Sequence, residues 1–416
     1  MDDVGAPPGP GAGRAPEQAG GAGGGRPVTV PSDLRDRVLS VMDAHWREVD
    51  GHGFTVPNAA VYPWQWLWDS CFHSVVWAEL GEAERAVREL ESLFAHQDDD
   101  GFVPHVTHHG DATFHAEFWG RSGTSSITQP PMYGHAIAEL RRRGVAVPPA
   151  LVEQARAGLA FLLRDRHRDE ASGMITVVHP WETGADDSPR WDDTCPGGFD
   201  VARWKRVKGE LLASVERTRG GAPVANPAFA VAPVGFNALV AWNAVELARA
   251  EGDRDPGGDD VRALVDALAG RWDHEHRTWV DGGATAAGSG RARTSDALLG
   301  ALVDPDRGRA AIVATELSDP AAHGAAFGPT QVHRAEPSYD PVGYWRGATW
   351  PQVGYLHWVA AREGGRAVDA DRLAATTVAG AVTSGLAEYW HPDTGAGLGA
   401  VPQSWTGLAL VMAATG

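Results

Sequence analysis

Five carboxylate side chains are interleaved with Trp181 and Trp191 in the segment His179–Asp193, which reads HPWETGADDSPRWDD. An indole exposed to water leaves apolar surface unburied, so a loop selected only for solubility does not need one. Tryptophan faces can stack on the C–H faces of a sugar, whereas carboxylates bind its hydroxyls or transfer protons. The segment therefore indicates carbohydrate chemistry, and an acidic surface turn anchored by its indoles is the equally supported alternative.

Hydrolysis of a glycosidic bond needs one carboxylic acid that protonates the leaving oxygen and a second carboxylate that acts as base or nucleophile. Asp186 lies beside Asp187 and between two tryptophans, and such a setting raises a carboxyl pKa through burial and like charge. Glu388 is the candidate partner, because GLAEYWHPDTG places it where a long predicted helix runs into an aromatic, glycine-rich loop. An ordinary glutamate at a helix end is the alternative interpretation of Glu388.

The lysine and cysteine contents exclude several other classes of enzyme. Lys205 and Lys208 are the only lysines, so the phosphate-binding loop ending in Gly-Lys-Ser/Thr is absent and Schiff-base chemistry has almost no candidates. Two cysteines are too few for a disulfide scaffold or a cysteine-based zinc site, and Cys71 is predicted to pack in the core. The glycine-rich stretch 395–400 precedes no dinucleotide-binding βαβ pattern. No cofactor is expected.

Four histidines between residues 105 and 115 could suggest a metal site, but they show no metal-ligand spacing with the neighbouring acids. They are His105, His108, His109 and His115. We predict solvated loop histidines and no metal, with His105, which follows a proline, placed near a substrate.

The chain of 416 residues carries a formal net charge of −18, which argues against nucleic acid or an anionic membrane as a partner. No apolar segment is long enough to span a bilayer, and the N-terminus lacks the apolar core of a secretion signal. We therefore expect a cytoplasmic protein whose partner is a small carbohydrate; a homo-oligomer is compatible with the sequence. Its 17 tryptophans outnumber 11 phenylalanines and 6 tyrosines, which fits a sugar site, with large core indoles as the alternative.

These candidates must be positioned by helices. Residues 1–28 are rich in Gly, Pro and Ala and predict a disordered tail, and 29–416 are predicted to form one catalytic domain. Helical periodicity recurs about a dozen times without a βαβ rhythm, which indicates paired helices closing an all-α toroid. One predicted helix follows Ser32, its N-cap, and another begins at Glu82. Further helices are predicted near 131–144, 148–165, 200–215, 231–252, 259–272, 293–303, 308–317, 350–364, 369–389 and 404–414.

Four long loops, 97–125, 168–199, 318–348 and 390–403, hold most of the Trp, His and Asp residues, and we expect them to gather on one face as the active site. In VYPWQWLWDSCFH the tryptophans alternate up to Trp68, which predicts an extended entry segment, and a helical pattern follows Asp69. Asp69 is thus predicted either to cap that helix or to contact a sugar hydroxyl.

Seven motifs occur in an order that resembles the glycoside hydrolase family 63-like clan, whose bacterial members include mannosylglycerate and glucosylglycerate hydrolases related to processing α-glucosidase I. The motifs are YPWQWLWDSCFH, DGFVPH, SITQPP, HPWETGADDSPRWD, FNALVAWNAVELA, YWRGATWP and AEYWHPDTGAGLGAVPQSW. Any one of them is a weak signal, but all seven in register are strong, and they cover the chain from about residue 35 onwards. The resemblance implies an (α/α)6 barrel and an inverting α-glycosidase.

The resemblance also implies roles for individual residues. The family's general acid, the Asp of Gly-x-Asp-Asn-Ser-Pro, matches Asp186, and its general base matches Glu388. The residues that match the sugar pocket are Tyr62, Trp66, Trp68, Asp69, His105, Gln129, Trp345 and Gln403. The motif's asparagine is Asp187 here, and a second negative charge beside the acid would raise its pKa further.

A second departure concerns the aglycone. Members that cleave glycerate conjugates have an Arg and a Tyr after the acid motif, whereas this chain offers Phe199 and no clean alignment there. The basic residues of the following segment are Arg203, Lys205, Arg206 and Lys208. They could receive an anionic aglycone, and a solvated helix face explains them equally well.

The resulting hypothesis is a single displacement with inversion, in which the two carboxyl groups lie roughly 6.5–9.5 Å apart so that a water fits between sugar and base. The substrate would be an α-glucoside or α-mannoside, such as a glucosyl- or mannosylglycerate-like small glycoside. A sugar epimerase or lyase on the same barrel, using His or Tyr as proton carrier, is one alternative. A non-catalytic carbohydrate-binding protein is the other.

Overall fold

A computed structural model describes residues 32–253, 258–283 and 288–414. The predicted disordered tail, residues 1–28, lies outside the described residues. Within these ranges the chain forms thirteen α-helices, named in chain order α1 Leu34–His45, α2 Leu67–Glu79, α3 Ala83–Phe94, α4 Ala116–Trp119, α5 Tyr133–Arg142, α6 Pro149–Arg164, α7 Val201–Leu211, α8 Val234–Ala250, α9 Gly258–Ala269, α10 Arg307–Ser318, α11 Pro351–Glu363, α12 Ala367–Thr383 and α13 Leu408–Ala413. The 3-10 helices are Pro180–Thr183, Pro189–Thr194, Leu212–Ser214, Gly288–Arg291, Ser295–Leu302 and Ser404–Gly407.

The strands are short and pair two by two in antiparallel ladders within the loops. They are β1 Trp46–Val49, β2 His52–Thr55, β3 Gln65–Trp66, β4 Val106–Thr107, β5 Glu216–Arg217, β6 Pro223–Ala225, β7 Val231–Ala232, β8 Trp272–Asp273, β9 Thr278–Trp279, β10 Gly282–Gly283, β11 Tyr389–Trp390 and β12 Gly397–Leu398. The pairs are β1–β2, β3–β4, β5–β6, β7–β10, β8–β9 and β11–β12. Because no described ladder exceeds two strands, helix packing forms the core.

Six helical segments form a closed inner ring. In ring order they are α2, α5, α8, the 3-10 helix Ser295–Leu302, α11 and α13, and each contacts the next, with α13 returning to α2. Outside this ring pack α1, α3, α6, α9, α10 and α12. The predicted all-α (α/α)6 toroid is therefore confirmed.

The composition of the helices explains which ring each one joins. A helix that is apolar on all sides must be buried on all sides, and α8, VGFNALVAWNAVELARA, is buried almost throughout its first fourteen residues. The outer helix α3 buries instead a stripe that includes the predicted in-phase residues Ala86, Leu90 and Leu93. Full burial of a leucine side chain contributes roughly 1.5–3 kcal/mol, so these stripes hold the outer helices on the ring.

The ring closes where residues near 57–73 meet residues near 402–406. The Asn58 side-chain amide donates to the Pro402 carbonyl at 2.7 Å, and His73 Nε2 lies 2.7 Å from Ser404 Oγ. This closure, which we call the seam, joins parts of the chain more than 300 residues apart.

Two predicted helix features are wrong. Helix α1 begins at Leu34 with Asp33 at the N-cap position, so Ser32 is not the cap, and Asp33 itself makes no side-chain cap bond. The helix predicted near 293–303 is a 3-10 helix, yet it takes a full place in the inner ring. Among the described residues no helix is both long and apolar enough to cross a membrane.

Candidate active site

One cavity of about 450 Å³ opens on the face where the long loops meet. All ten residues singled out from the sequence line it: Tyr62, Trp66, Trp68, Asp69, His105, Gln129, Asp186, Trp345, Glu388 and Gln403. Each of the four long loops contributes at least one of them, in the order His105, Asp186, Trp345 and Gln403. The loops therefore do gather around one site, as the distribution of aromatic and acidic residues predicted.

Asp186 is positioned by two indoles that hold the backbone on either side of it. Trp191 Nε1 donates to the Ala185 carbonyl at 2.8 Å, and Trp204 Nε1 donates to the Asp186 carbonyl at 2.9 Å. Both indoles are fully buried. Trp191 thus anchors the acidic segment, as the alternative interpretation proposed, whereas Trp181 lines the cavity.

The first acid of the segment, Glu182, has a structural role. It is completely buried and forms a two-point ion pair with Arg166, with distances of 3.0 and 2.6 Å. Its carboxylate also accepts the backbone N–H groups of Thr128 at 3.2 Å and Val178 at 2.8 Å. Every carboxylate oxygen is occupied by the protein, so Glu182 fixes the loop and leaves no oxygen for a substrate.

Asp187, the residue that replaces the family's asparagine, is paired with a lysine. Lys208 Nζ lies 2.7 Å from Asp187 Oδ1, and both side chains are largely buried. The lysine compensates the extra negative charge beside Asp186. It is buried and does not line the cavity, so both predicted alternatives, a basic patch for an anion and a solvated helix face, are wrong for Lys208: the turn of α7 that carries it packs against the acid loop.

The surroundings of Asp186 favour its protonated form. Burial raises the pKa of Asp186 to about 7; the charge of Lys208 lowers it, while those of Asp187 and Glu388 raise it. A carboxyl in this state can donate a proton near neutral pH, which is what a general acid requires.

Glu388 is held differently. It is only 2 % exposed, and burial raises its pKa to about 7, but hydrogen bonds from Ala400, Tyr62 and Tyr344 lower that pKa. The Tyr62 hydroxyl donates to Glu388 Oε1 at 3.0 Å and the Ala400 N–H donates to Oε2 at 2.8 Å. Donors aimed at both oxygens stabilise the ionised form. The two cavity carboxyls thus have environments suited to opposite roles.

Glu388 does not end a helix. Helix α12 stops at Thr383, and Glu388 immediately precedes β11, whose partner β12 leads to Ala400. The β11–β12 ladder therefore brings the Ala400 N–H under the carboxylate. The alternative of an ordinary helix-end glutamate is wrong.

Asp69 is the third residue of α2, and the cap position belongs to Trp66, so the predicted N-cap role of Asp69 is wrong. Two bonds from distant loops fix this helix start: the Leu67 N–H donates to the His105 carbonyl at 2.9 Å, and the Trp68 N–H donates to Gln129 Oε1 at 3.3 Å. Trp68 consequently lies in the helix and not in the extended segment.

The deep end of the cavity holds buried polar atoms that lack a hydrogen-bond partner in the protein. They are Asp69 Oδ1, Gln403 Oε1, Trp66 Nε1 and Trp345 Nε1. Burial, followed by the nearby charge of Glu388, raises the pKa of Asp69 well above its usual value. Buried polar groups are normally hydrogen-bonded, so donors and acceptors converging on one cavity indicate a site for a polyhydroxylated ligand.

Backbone geometry keeps the aromatic wall in place. Trp345 adopts a positive φ of 59°, a conformation that costs a bulky residue roughly 1–2 kcal/mol. Its ring stacks on Trp350 at 3.8 Å, and Trp350 stacks on Tyr389 at 4.5 Å. Gly184, at φ 72°, lies so close to Trp68 that a Cβ there would come within 2.5 Å of the indole.

The histidines of the 105–115 segment are mostly buried, so the prediction that they are solvated is wrong for His105, His108 and His109. The cause is the β3–β4 ladder, which draws the segment inward. His105 Nδ1 lies 2.6 Å from Ser125 Oγ, and burial holds its pKa well below the usual value. Among the described residues, no group of three or more His, Cys, Asp or Glu is arranged to hold a metal ion.

Several residues of the cavity wall were missed by sequence reasoning, and Tyr344 and Trp405 are two that contact predicted site residues. Tyr344 hydrogen-bonds Glu388 and helps to hold its charge, and Trp405 packs edge-on against Trp68 with 5.7 Å between ring centroids. Both lie inside motifs that were recognised, YWRGATWP and QSW. Their position beside Trp345 and Gln403 was the available signal.

Comparison with known proteins gives a consistent result. The family described as "Mannosylglycerate hydrolase MGH1-like glycoside hydrolase domain" matches residues 62–406. A mannosylglycerate hydrolase from Thermus thermophilus is 30% identical over 409 residues, which cover 85% of this chain and 94% of the relative. A glucosylglycerate hydrolase from Mycolicibacterium hassiacum is 28% identical over 467 residues, covering 92% of this chain and 98% of the relative.

A solved structure shares the fold. It is a family 63 mannosylglycerate hydrolase from Thermus thermophilus in complex with Tris and D-glycerate, which matches with a TM-score of 0.75 at 27% sequence identity. The match covers 92% of this chain and 100% of that one. The likeness thus extends over the whole ring of helices and the loops that form the cavity.

Proposed function

This chain belongs to the mannosylglycerate hydrolase MGH1-like family of glycoside hydrolases, and on that premise we propose that it is an inverting α-glycosidase. Its general acid is Asp186 and its general base is Glu388. The observation that carries the proposal is that these two carboxyls share one cavity in different surroundings: hydrogen-bond donors hold Glu388, whereas Asp186 faces the negative charges of Asp187 and Glu388. Family membership and this carboxyl pair oppose the alternatives of an epimerase, a lyase or a non-catalytic sugar-binding protein.

In the proposed reaction the non-reducing sugar occupies the deep end of the cavity. Asp69 Oδ1 and Gln403 Oε1, which lack protein partners, accept hydrogen bonds from its hydroxyls. Gln129 and the indole N–H groups of Trp66 and Trp345 supply further polar contacts. The ring of Trp68 provides the stacking face. Binding by several fixed groups orients the anomeric carbon between the two carboxyls.

Asp186 then protonates the glycosidic oxygen as the bond breaks, and Glu388 removes a proton from the water that attacks the opposite face. This single displacement requires the two carboxyl groups to lie roughly 6.5–9.5 Å apart, whereas a separation near 5 Å would indicate a retaining enzyme with a covalent intermediate. A small carbohydrate is the proposed partner, and the cytoplasmic location stays a prediction.

Incubation with a panel of α-glucosides and α-mannosides tests the proposal. The panel includes mannosylglycerate and glucosylglycerate, for which the relatives are named. Proton NMR in the same tubes reports the first anomer released. The β-anomer from an α-linked substrate supports inversion; release of the α-anomer, or no hydrolysis of any member, would refute the mechanism.

We expect kcat/KM to follow a narrow bell-shaped pH profile with its maximum near neutrality. Glu388 acts as a carboxylate, so activity is lost as the pH falls through its pKa of about 7. Asp186 acts as an acid, so activity is lost as the pH rises through its own pKa of about 7. The acidic and alkaline limbs of the profile report the apparent pKa values of Asp186 and Glu388, which titrate as a coupled pair. A rate plateau extending down to about pH 5, near the ordinary glutamate pKa, would contradict this assignment.

Replacement of Tyr62 by phenylalanine should move the acidic limb of that profile to higher pH. The hydroxyl donates to Glu388 and lowers its pKa, so its removal makes the base harder to ionise. A hydrogen bond to a charged group contributes about 1.5–3 kcal/mol, so we expect a loss of about tenfold or more in kcat/KM on the acidic side. Tyr339→Phe is the matched control, because that hydroxyl contacts Arg334 away from the cavity. An unmoved limb in Tyr62→Phe would show that the bond does not tune the base.

A further inference from the structure

The mouth of the cavity differs chemically from its deep end. Asp69, Gln129 and Gln403 at the deep end are at most 5 % exposed, whereas Val61 at the mouth is 37 % exposed. The rim, as we define it, consists of the exposed or half-buried Val61, Pro63, Trp64, Phe114 and His115, together with the buried His108 that packs against Trp64. Because a non-reducing sugar bound at the deep end directs its leaving group outward, the rim is where an aglycone would lie.

Four members of the rim form one aromatic cluster. Trp64 lies 4.8 Å from Phe114 and 5.1 Å from His108, measured between ring centroids, and Phe114 lies 4.0 Å from His115. Aromatic faces of this kind bury the apolar face of a ring placed against them. Burial lowers the pKa of His108 to about 4, so this member of the cluster is neutral at neutral pH.

The charges that face the cavity are all acidic. Asp69, Asp186 and Glu388 line it, and no lysine or arginine of the described ranges does. Two basic side chains that contact the acid loop are paired with its carboxylates: Lys208 pairs with Asp187 at 2.7 Å and Arg346 pairs with Asp192 at 2.7 Å. An anion entering this cavity would be desolvated near the Glu388 carboxylate, and no lysine or arginine of the described ranges lines the wall to receive it.

We propose that the leaving-group side of this cavity binds an uncharged aglycone with an apolar ring face, a second pyranose or an aryl group, in preference to glycerate. The inference rests on the proposed glycosidase function and specifies its substrate class. It departs from the compounds for which the relatives are named, and it follows from the aromatic rim and the acidic lining of the cavity in this chain.

Matched substrates isolate the charge of the aglycone. A glycosylglycerate and its carboxamide carry the same sugar and nearly the same leaving group, and they differ in one negative charge. We expect kcat/KM for the carboxamide to exceed that for the glycerate conjugate about tenfold, because cavities that carry one sign of charge disfavour ligands of the same sign. Preference for the glycerate conjugate would overturn the proposal. If that preference were then lost in His115→Gln, the residue that binds the glycerate carboxylate would be His115 of the rim.

Two ring-bearing substrates then distinguish the two sources of an apolar face. An α-linked disaccharide and an aryl α-glycoside are compared with the corresponding glycosyl fluoride, whose leaving group cannot reach the rim aromatics. In Trp64→Leu we expect the ratio of kcat/KM between the preferred ring-bearing substrate and the fluoride to fall about tenfold, the loss of one stacked aromatic contact. An unchanged ratio for both substrates would contradict the proposal.

Trp46→Leu is the matched control, since Trp46 is also half-buried but packs against Trp77 on the outer face, with 5.8 Å between ring centroids. The fluoride also separates the two proposals. Failure to hydrolyse any glycosyl fluoride would refute the glycosidase function itself. Hydrolysis of the fluoride together with preference for the glycerate conjugate would refute only the inference about the aglycone.

Discussion

An Asp186→Asn variant is expected to lose about 10²–10⁴-fold in kcat on substrates with poor leaving groups, the usual contribution of a positioned general acid. The loss should be much smaller on an α-glycosyl fluoride, whose departing fluoride needs less protonation than a sugar alkoxide does. Steady-state kinetics on one disaccharide and one fluoride measure both effects. The dependence on the leaving group distinguishes loss of an acid from loss of binding, because a binding defect would affect the two substrates alike.

Asp187→Asn is the control for that variant. The chemical change is identical and lies one residue away, but the Asp187 carboxylate pairs with Lys208 and does not line the cavity. Removing its charge leaves Lys208 acting on Asp186, whose pKa should fall. The alkaline limb should therefore move to lower pH while most activity remains. Equal losses in the two variants, or full activity in Asp186→Asn, would refute the assignment of the acid.

A Glu388→Ala variant is expected to lose about 10³-fold or more in kcat on every substrate, the fluoride included, because activation of water is needed whatever the leaving group. Azide needs no base, and the truncated side chain leaves room for it beside the anomeric carbon. Added azide should therefore restore turnover of an α-glycosyl fluoride and give a β-glycosyl azide. NMR of the product identifies its configuration.

Glu336→Ala serves as the control, since that glutamate pairs with Arg293 at 2.6 Å outside the cavity wall. It should retain ordinary activity without azide. An α-glycosyl azide from Glu388→Ala would indicate a retaining, two-step reaction. Hydrolysis by Glu388→Ala at the wild-type rate would show that Glu388 is not the base. Tyr62 provides a further check. Tyr62→Phe should not lower the activity any further in a protein that already carries Glu388→Ala, because its hydroxyl acts through Glu388.

Much of the site could be predicted because its residues lie in short motifs with distinctive composition. Trp66 and Asp69 share one motif, and Asp186 and Glu388 are each embedded among aromatic and glycine residues. The helix pattern likewise revealed the ring, since apolar periodicity records which faces are buried. Tyr344 and Trp405 were not predicted, although they lie close in sequence to the predicted residues Trp345 and Gln403.

The errors have a common physical cause, which is contact between distant parts of the chain. Helix α2 begins at Leu67 because its first N–H groups donate to His105 and Gln129, so the local sequence pattern placed its start three residues late. Lys208 reads as a surface charge on α7, and only the packing of that helix shows its ion pair with Asp187. The loop histidines are buried by a two-residue ladder too short to leave a periodic signal.

The seam also determines which part of the chain must have left the ribosome before the enzyme can begin to work. Trp68 and Asp69 lie on one side of the seam, and Gln403 and Trp405 lie on the other, so the sugar pocket is shared between early and late parts of the chain. A nascent chain with residues 388–405 still inside the ribosome lacks Glu388, the proposed base, together with Gln403 and Trp405. Such contacts across more than 300 residues also slow folding, since a long loop must close first. Catalysis thus begins only after residues 388–405 have left the ribosome. Truncation just before Glu388 would remove the proposed base, Gln403 and Trp405 but none of the helices α1–α12.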